Sequence, residues 1–124
     1  PVCCAAALAN IEILMRERLW ENAERVGLHL REQLSAIDSS FIGEVRGLGL
    51  MIAVELVDEN GAMLDSERAA KVQAGIRQAG VIVGRMSHVM DGPESVFFVS
   101  PPLIITPDQA DQIAAAFAAG LDAI

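Results

Sequence analysis

The first third of the chain has the spacing of apolar residues that is typical of α-helices. Across Leu19–Ile37 the apolar residues recur every three or four positions and charged residues fill the opposite face, which predicts an amphipathic helix. The preceding stretch, Cys3–Met15, is apolar except at Asn10 and Glu12 and predicts a helix that is buried on most sides. We therefore expect the helical pattern to run almost without interruption over Val2–Ile37.

Two extended segments follow this helical region. Phe41–Arg46 and Leu48–Val57 predict strands, and the second places Leu50, Ile52, Val54 and Leu56 on one face. Gly47 and Gly49 mark the junction of the two pieces and predict a bulge or bend there.

A turn over residues 58–61 separates these strands from a second helix. Ser66 is expected to cap that helix, and Gly80 occupies the position that ends it. Its inward-facing residues are expected to be Ala69, Val72, Ile76 and Ala79.

The last part of the chain predicts two more strands and a final helix. The strands are expected at Val81–Arg85 and Ser95–Val99, with a polar loop over Ser87–Glu94 between them. Thr106–Gln109 predicts a capping box with proline at the first helical position. The buried stripe of this helix is expected to be Ala110, Ile113, Phe117, Leu121 and Ile124.

The order of these elements predicts the fold class. The chain is predicted to contain, in order, a helix, two strand pieces, a helix, two strands and a helix. This order indicates an α+β two-layer sandwich, in which helices cover one face of a small, largely antiparallel sheet. The strands come in adjacent pairs, unlike the alternating strands and helices of a doubly wound nucleotide-binding domain.

The composition indicates that this domain is part of a larger protein. Hydrophobic residues make up 52% of the 124 positions before the 10 glycines are counted, whereas soluble domains reach roughly 45–50% with glycine included. So short a chain cannot hide that much apolar surface alone. The first residue is Pro1 rather than Met, and we expect upstream sequence to be missing.

Charge and hydropathy exclude several kinds of partner. The net charge of −8 and the absence of a run of basic residues argue against a nucleic-acid partner. Cys3–Met15 is too short to span a bilayer and has no basic residues before it, so neither a membrane anchor nor a signal peptide is expected.

The cysteines, Cys3 and Cys4, are adjacent in the sequence. Neighbouring residues on a helix point about 100° apart, so these two cannot cross-link the domain, and a reduced, cytosolic compartment is expected. We interpret them as small buried hydrophobic residues rather than a redox pair.

Few residues suggest chemistry on their own. Gly47-Leu48-Gly49 lacks the third glycine and the following helix of a phosphate loop. His29 is expected to be a solvated helix residue, and a role for His88 on its loop remains open, but neither has metal ligands at a recognised spacing, so no metal site is predicted. Ser100 lacks the surrounding pattern of a hydrolase nucleophile, and Lys71, the single lysine, lacks the apolar wall of a lysine that forms a Schiff base.

Arg85 is the strongest candidate for ligand binding. It ends a predicted strand and begins a loop that contains glycine and proline, a place where a mobile cation can meet a small anion. A solvated arginine at the end of a strand is the alternative interpretation.

Three segments together carry a resemblance to a known family. Pro1–Leu14, Val45–Leu56 and Val99–Thr106, the last with Ser100-Pro101-Pro102, strongly resemble the C-terminal small domain of class III aminotransferases, which depend on pyridoxal phosphate. They occur in the expected order and span nearly the whole chain.

The resemblance implies that residues 1–124 are the small domain of a fold-type-I enzyme and close over the substrate of a large cofactor-binding domain. The lysine that binds the cofactor, the carboxylate beside the pyridine nitrogen and most phosphate contacts are then expected in that absent domain. No catalytic or cofactor-binding residue is therefore assigned to this chain, which is expected to be inactive alone. The apolar helix that begins at Cys3 is expected to pack against the large domain.

The resemblance also suggests a substrate class. Members that act on α-carboxylates such as ornithine derivatives carry an arginine two residues before Ser-Pro-Pro, where this chain has Phe98. The chain is more similar to the amine:pyruvate and β-alanine:pyruvate transaminases, with Arg85 as the candidate for the substrate carboxylate. The complete enzyme is expected to be a cytoplasmic homodimer that transfers an amino group from an amine or ω-amino acid to a keto acid such as pyruvate.

Two alternatives stay open. A mutase or another pyridoxal-phosphate reaction of the same family fits the same segments. A free-standing α+β interaction or dimerisation module, which needs no cofactor, would also present an exposed apolar helix.

Overall fold

The structure is a computed structural model that describes residues 1–86 and 95–124. In these residues the helices are α1 (Val2–Glu17), α2 (Leu19–Ser35), α3 (Ser66–Gln78) and α4 (Pro107–Leu121). The strands are β1 (Ile42–Leu48), β2 (Met51–Leu56), β3 (Gly84–Arg85) and β4 (Val96–Val99).

The strands form one antiparallel sheet in the order β1-β2-β4-β3. Alternate residues of the central strand β2 point to opposite faces, and those expected to face inward (Leu50, Ile52, Val54 and Leu56) are buried. The predicted α+β sandwich with a small antiparallel sheet is therefore confirmed.

The helices α2, α3 and α4 lie on the buried face of the sheet, and α4 packs against both α2 and α3. The ring of Phe97 on β4 meets the ring of Phe117 on α4 edge-on, with 6.1 Å between centroids. The predicted capping box is present, because the Thr106 hydroxyl accepts from Gln109 N at 3.3 Å and Gln109 Oε1 accepts from Thr106 N at 3.0 Å. The predicted stripe of α4 is buried, except that Ile124 is only half-buried.

The predicted continuous helix is wrong, because the chain breaks into α1 and α2 at Arg18. Arg18 has a φ of 51°, its backbone N–H bonds to Leu14 O, and its side chain pairs with Glu21. No glycine or proline lies near this point to end a helix. The break turns α1 away from the core.

Helix α1 contributes nothing to the core of this chain. None of its residues is buried, and both Cys3 and Cys4 are exposed, so the interpretation of these cysteines as buried hydrophobic residues is wrong for the chain by itself. Within the described residues, no helix is both long enough and apolar enough to cross a membrane.

The bend predicted at Gly47 and Gly49 is a tight hairpin. Gly49 and Leu50 form the turn between β1 and β2, and Gly49 has a φ of 53°, which favours glycine. The turn over residues 58–61 is confirmed, since Asp58 Oδ1 accepts from the N–H groups of Asn60 and Ala62, each at 2.9 Å.

Three boundaries differ from the prediction. Asp65 rather than Ser66 caps α3, because its carboxylate lies one residue earlier and reaches two N–H groups of the first turn. Ala79 is exposed because the helix ends beside it, just before Gly80. Only Gly84–Arg85 of the predicted strand Val81–Arg85 pairs with β4, and the loop Ser87–Glu94 lies outside the described residues.

The close approach of α2 to the hairpin generates a stability prediction. A Cβ atom at Gly27 would lie 2.1 Å from Gly49 O, so Gly27→Ala forces α2 and the β1–β2 turn apart. Overpacking costs about 1–3 kcal/mol, more than the gain of up to ~1 kcal/mol from the higher helix propensity of alanine. Urea unfolding should show a net loss of stability for Gly27→Ala and little change for Gln33→Ala, an exposed position on the same helix. A stabilised Gly27→Ala variant would contradict the observed packing.

Candidate functional site

The candidate site is the sheet edge formed by β3 and β4, because it carries Arg85 and Phe98. In the antiparallel ladder Gly84 lies opposite Phe98 and Arg85 lies opposite Phe97. Residues directly opposite each other share a face, so Arg85 lies on the side of the buried Phe97 and the helices. The side chains of Arg85 and Phe98 therefore lie on opposite faces, an arrangement that the sequence did not reveal.

The Arg85 guanidinium lies beside the first turn of α3. Its Nη1 donates to Ser66 O at 3.1 Å. Asp65 precedes this residue and caps the helix, and the backbone N–H and guanidinium of Arg68 lower the pKa of the Asp65 carboxyl. Arg68 in turn bonds Asp65 Oδ2 at 2.6 Å and Glu59 Oε1 at 2.9 Å. A network of ion pairs thus fixes the helix end on which Arg85 rests.

Phe98 lies on the open face of the sheet, opposite the helices. It borders a groove of about 290 Å³ together with Met51, Ala53, Ser100 and Arg46. Nη1 of Arg46 bonds Glu44 at 2.6 Å and Glu55 at 2.8 Å. These two carboxylates, Glu55 first, raise the pKa of Arg46 above its usual value and neutralise its charge locally. The groove therefore offers an apolar wall rather than an uncompensated cation.

Asn22 is a positioning residue that the sequence did not reveal. Its Nδ2 donates to Leu103 O at 2.8 Å and to Ile105 O at 3.0 Å, so α2 holds the segment that follows Ser100-Pro101-Pro102. Arg25 Nη2 orients the Asn22 amide by donating to Oδ1 at 2.7 Å. An asparagine on the polar flank of a helix carries no signal for such a contact, because its acceptors lie more than 80 residues away in the chain.

The other residues considered in the sequence analysis do not come together in one functional site. His29 Nε2 lies 2.7 Å from Asp111 Oδ1 and links α2 to α4, so it is not simply solvated. His88 lies outside the described residues. The Gly47 carbonyl accepts from Arg31 Nη1 at 2.7 Å. No group of three or more potential metal ligands occurs in residues 1–86 and 95–124.

The described residues do not fit a complete site for a pyridoxal-type cofactor. Lys71 Nζ pairs with Glu67 Oε1 at 2.9 Å on the exposed side of α3. A lysine that forms a Schiff base is desolvated or lies beside another cation, and Lys71 has neither environment. We therefore derive no step of cofactor chemistry from this chain.

Sequence comparison decides the family. Residues 1–121 match the class III aminotransferase family. This chain belongs to that family. The α+β architecture agrees, because an aminotransferase structure from Bacillus anthracis superposes on 100% of this chain with a TM-score of 0.95 and 30% identity.

Three relatives illustrate the range of activities within the family. The chain is 36% identical to an acetylornithine aminotransferase of Methanosarcina mazei, over 91% of the chain. It is 37% identical to a taurine–pyruvate aminotransferase of Bilophila wadsworthia and 40% identical to an alanine/serine racemase of Pyrococcus horikoshii, over 90% of the chain in each case.

This class III aminotransferase chain spans only about a quarter of the proteins that it matches. It covers 25%, 23% and 25% of the Methanosarcina, Pyrococcus and Bilophila proteins and 28% of the Bacillus chain. The similarity therefore concerns one region of a longer family architecture.

The capping network beside Arg85 predicts a pH dependence. Because the folded state lowers the pKa of Asp65, its ionised form stabilises the fold above its unfolded value of about 3.9, and this contribution is lost as the pH falls through the folded value. Asp65→Asn keeps an acceptor but does not titrate. Near pH 6, the free energy of unfolding of Asp65→Asn should be lower than that of the unmodified chain. This difference should shrink below about pH 4. A gap that persists unchanged at lower pH would contradict this assignment.

Proposed function

We propose that residues 1–124 are the C-terminal small domain of a class III aminotransferase whose large N-terminal domain binds pyridoxal phosphate. Two observations support this assignment. The chain builds one core of its own from α2, α3, α4 and the sheet, yet it corresponds to only about a quarter of its relatives. When bound, the cofactor supplies the electron sink of amino-group transfer, while this chain supplies contacts to the substrate. The chain alone is then inactive.

The proposed reaction transfers an amino group between an amine or ω-amino acid and a keto acid such as pyruvate. The observation that carries this choice is Phe98, which presents an aromatic ring beside Met51 and Ala53 on the open face. An apolar wall accommodates an uncharged substituent and gives an α-carboxylate no partner. Among the relatives, the name of the taurine–pyruvate aminotransferase fits an ω-amino donor and pyruvate as acceptor. The acetylornithine aminotransferase, at similar identity, represents the enzymes that act on α-carboxylates such as ornithine derivatives.

Arg85 is the proposed partner of the keto acid's carboxylate. To reach it, the guanidinium exchanges its bond to Ser66 O for one to the substrate. The guanidinium is charged in both bonds, but a carboxylate adds the opposite charge and can accept two parallel hydrogen bonds, so the exchange favours the substrate. Arg85 is only half-buried at the sheet edge, so solvent reaches part of its side chain.

The proposed enzyme is a cytoplasmic homodimer in which α1 packs against the large domain. The exposed apolar side chains of α1 support this part of the proposal, because surface of this kind is normally covered.

Two other functions have specific support. The 40% identity to an alanine/serine racemase favours another pyridoxal-phosphate reaction, of which a mutase is a further example. The exposed α1 is equally compatible with a cofactor-free interaction module. Transamination of pyruvate by the complete enzyme separates the main proposal from both.

Arg85→Ala in the complete enzyme tests the substrate assignment. The rate of the half-reaction with pyruvate should fall roughly 10- to 150-fold, because a charge-assisted bond worth about 1.5–3 kcal/mol is lost. The half-reaction with a monoamine, which has no carboxylate, should change only a few-fold. Stopped-flow measurement of each half-reaction separates the two effects.

Arg77→Ala is the matched control, since Arg77 lies exposed in the last turn of α3. It should leave both half-reactions near their original rates. An equal fall of both half-reactions in Arg85→Ala would show that Arg85 supports the fold, and no fall in either would place the carboxylate elsewhere.

A further inference from the structure

Helix α3 is followed by a segment that runs back along it and ends at Arg85. Gly80 has a φ of 88°, and the Val81 N–H bonds to Ile76 O at 3.2 Å, so the chain reverses immediately after the helix. Residues 81–83 then lead into β3, a strand of two residues at one edge of the sheet. The position of Arg85 therefore depends on what holds this returning segment.

Gln73 bonds the returning segment from the middle of α3. Its Nε2 donates to Val83 O at 3.2 Å. Gln73 lies four residues after Ala69 and three before Ile76, both of which are buried, so it flanks the buried face of the helix. Val83 is also buried, and the carbonyl group of a buried residue needs a hydrogen-bond partner. The Gln73 amide supplies one.

The bond from Gln73 differs from the one that the Arg85 side chain makes to α3. In the proposed function, the guanidinium leaves Ser66 O in order to bind the substrate. The backbone of β3 is still held at that moment, by Gln73 just before the strand and by β4 beside it, where the Met86 N–H donates to Val96 O at 2.9 Å. The end of the arginine side chain can thus move while its Cα atom stays in place.

We propose that Gln73 is a positioning residue, which fixes the backbone from which Arg85 reaches the carboxylate of the keto acid. This inference rests on the proposed function of Arg85 and deepens it. A strand of two residues has few ladder bonds compared with a typical strand of about five or six residues, so one additional bond matters to its position. Paired hydrogen bonds between a guanidinium and a carboxylate also require precise geometry.

Gln73→Met in the complete enzyme tests this role. Methionine is close to glutamine in length and helix propensity but has no donor for Val83 O. The apparent Kd for pyruvate in its half-reaction should rise roughly 3- to 10-fold, the range expected for the loss of one hydrogen bond between neutral groups. The maximum rate of that half-reaction and the half-reaction with a monoamine should both stay within about twofold, because Gln73 contacts neither substrate nor cofactor in this proposal.

Gln78→Met is the matched control. Gln78 is exposed at the end of the same helix, so the same chemical change is made away from Val83. Both half-reactions of this variant should keep their original rates and apparent Kd values. An equal rise of the apparent Kd for pyruvate in Gln73→Met and Gln78→Met would overturn the inference.

The Arg85→Ala background separates positioning from a general structural role. If Gln73 acts through Arg85, then adding Gln73→Met to Arg85→Ala should change the pyruvate half-reaction no further. An effect of Gln73→Met that is the same with and without the arginine would show that Gln73 only supports the fold, which contradicts a positioning role.

Amide hydrogen exchange measures how firmly β3 is held, without any substrate. In Gln73→Met the Met86 amide should exchange severalfold faster, because local opening of the strand becomes easier. The Leu56 amide, which donates to Ser95 O at 2.9 Å between β2 and β4, should exchange at its original rate. Unchanged exchange at Met86, or equal acceleration at both amides, would overturn the inference.

Failure of this inference and failure of the proposed function give different results. A pyruvate half-reaction that responds to Arg85→Ala but not to Gln73→Met would overturn the inference alone. A pyruvate half-reaction that responds to neither variant would place the carboxylate elsewhere and overturn both. A response to Gln73→Met without one to Arg85→Ala would show that Gln73 does not act through the arginine, and the inference would again be wrong.

Discussion

The sheet is covered by helices on one face only, and this one-sided burial determines the rest of the structure. Successive residues of a strand point to opposite faces, so every position on β2 and β4 belongs either to the core or to the open face. Ile52, Val54 and Phe97 lie beneath the helices, and the contact of Phe97 with Phe117 joins the two layers. Burying side chains of this size stabilises the fold by about 1.5–3 kcal/mol each.

The same alternation separates the residues that the sequence suggested for one site. Phe98 and Arg46 lie on the open face, where Glu44 and Glu55 already neutralise the arginine. Arg85 lies on the covered side and rests on the first turn of α3. In the proposed enzyme, the apolar wall is presented by the open face, and the arginine approaches from the sheet edge.

Local sequence determined the elements whose signals lie within a few residues of each other. The α4 capping box, the inward positions of β2 and the 58–61 turn agree with the prediction because each depends on neighbours in the chain. The break at Arg18 has no local signal, since its flanking residues are good helix formers. The face on which Arg85 lies depends on the register between β3 and β4, which spacing alone does not fix.

Helix α1 is the element for which the sequence and the isolated fold disagree most. Its apolar composition predicts burial, and the structure leaves it attached at one end and outside the core. A single helix of 16 residues is marginally stable in water without packing. In the proposed enzyme, packing against the large domain would stabilise it.

Amide hydrogen exchange on the 124-residue chain tests most directly whether the core is stable without packing against α1. The amides of β2, α2 and α4 should exchange only through global unfolding, while those of α1 exchange orders of magnitude faster through local opening. In the complete enzyme the α1 amides should become protected as well. Protection of α1 equal to that of α2 in the 124-residue chain would contradict the division between a self-sufficient core and an uncovered helix.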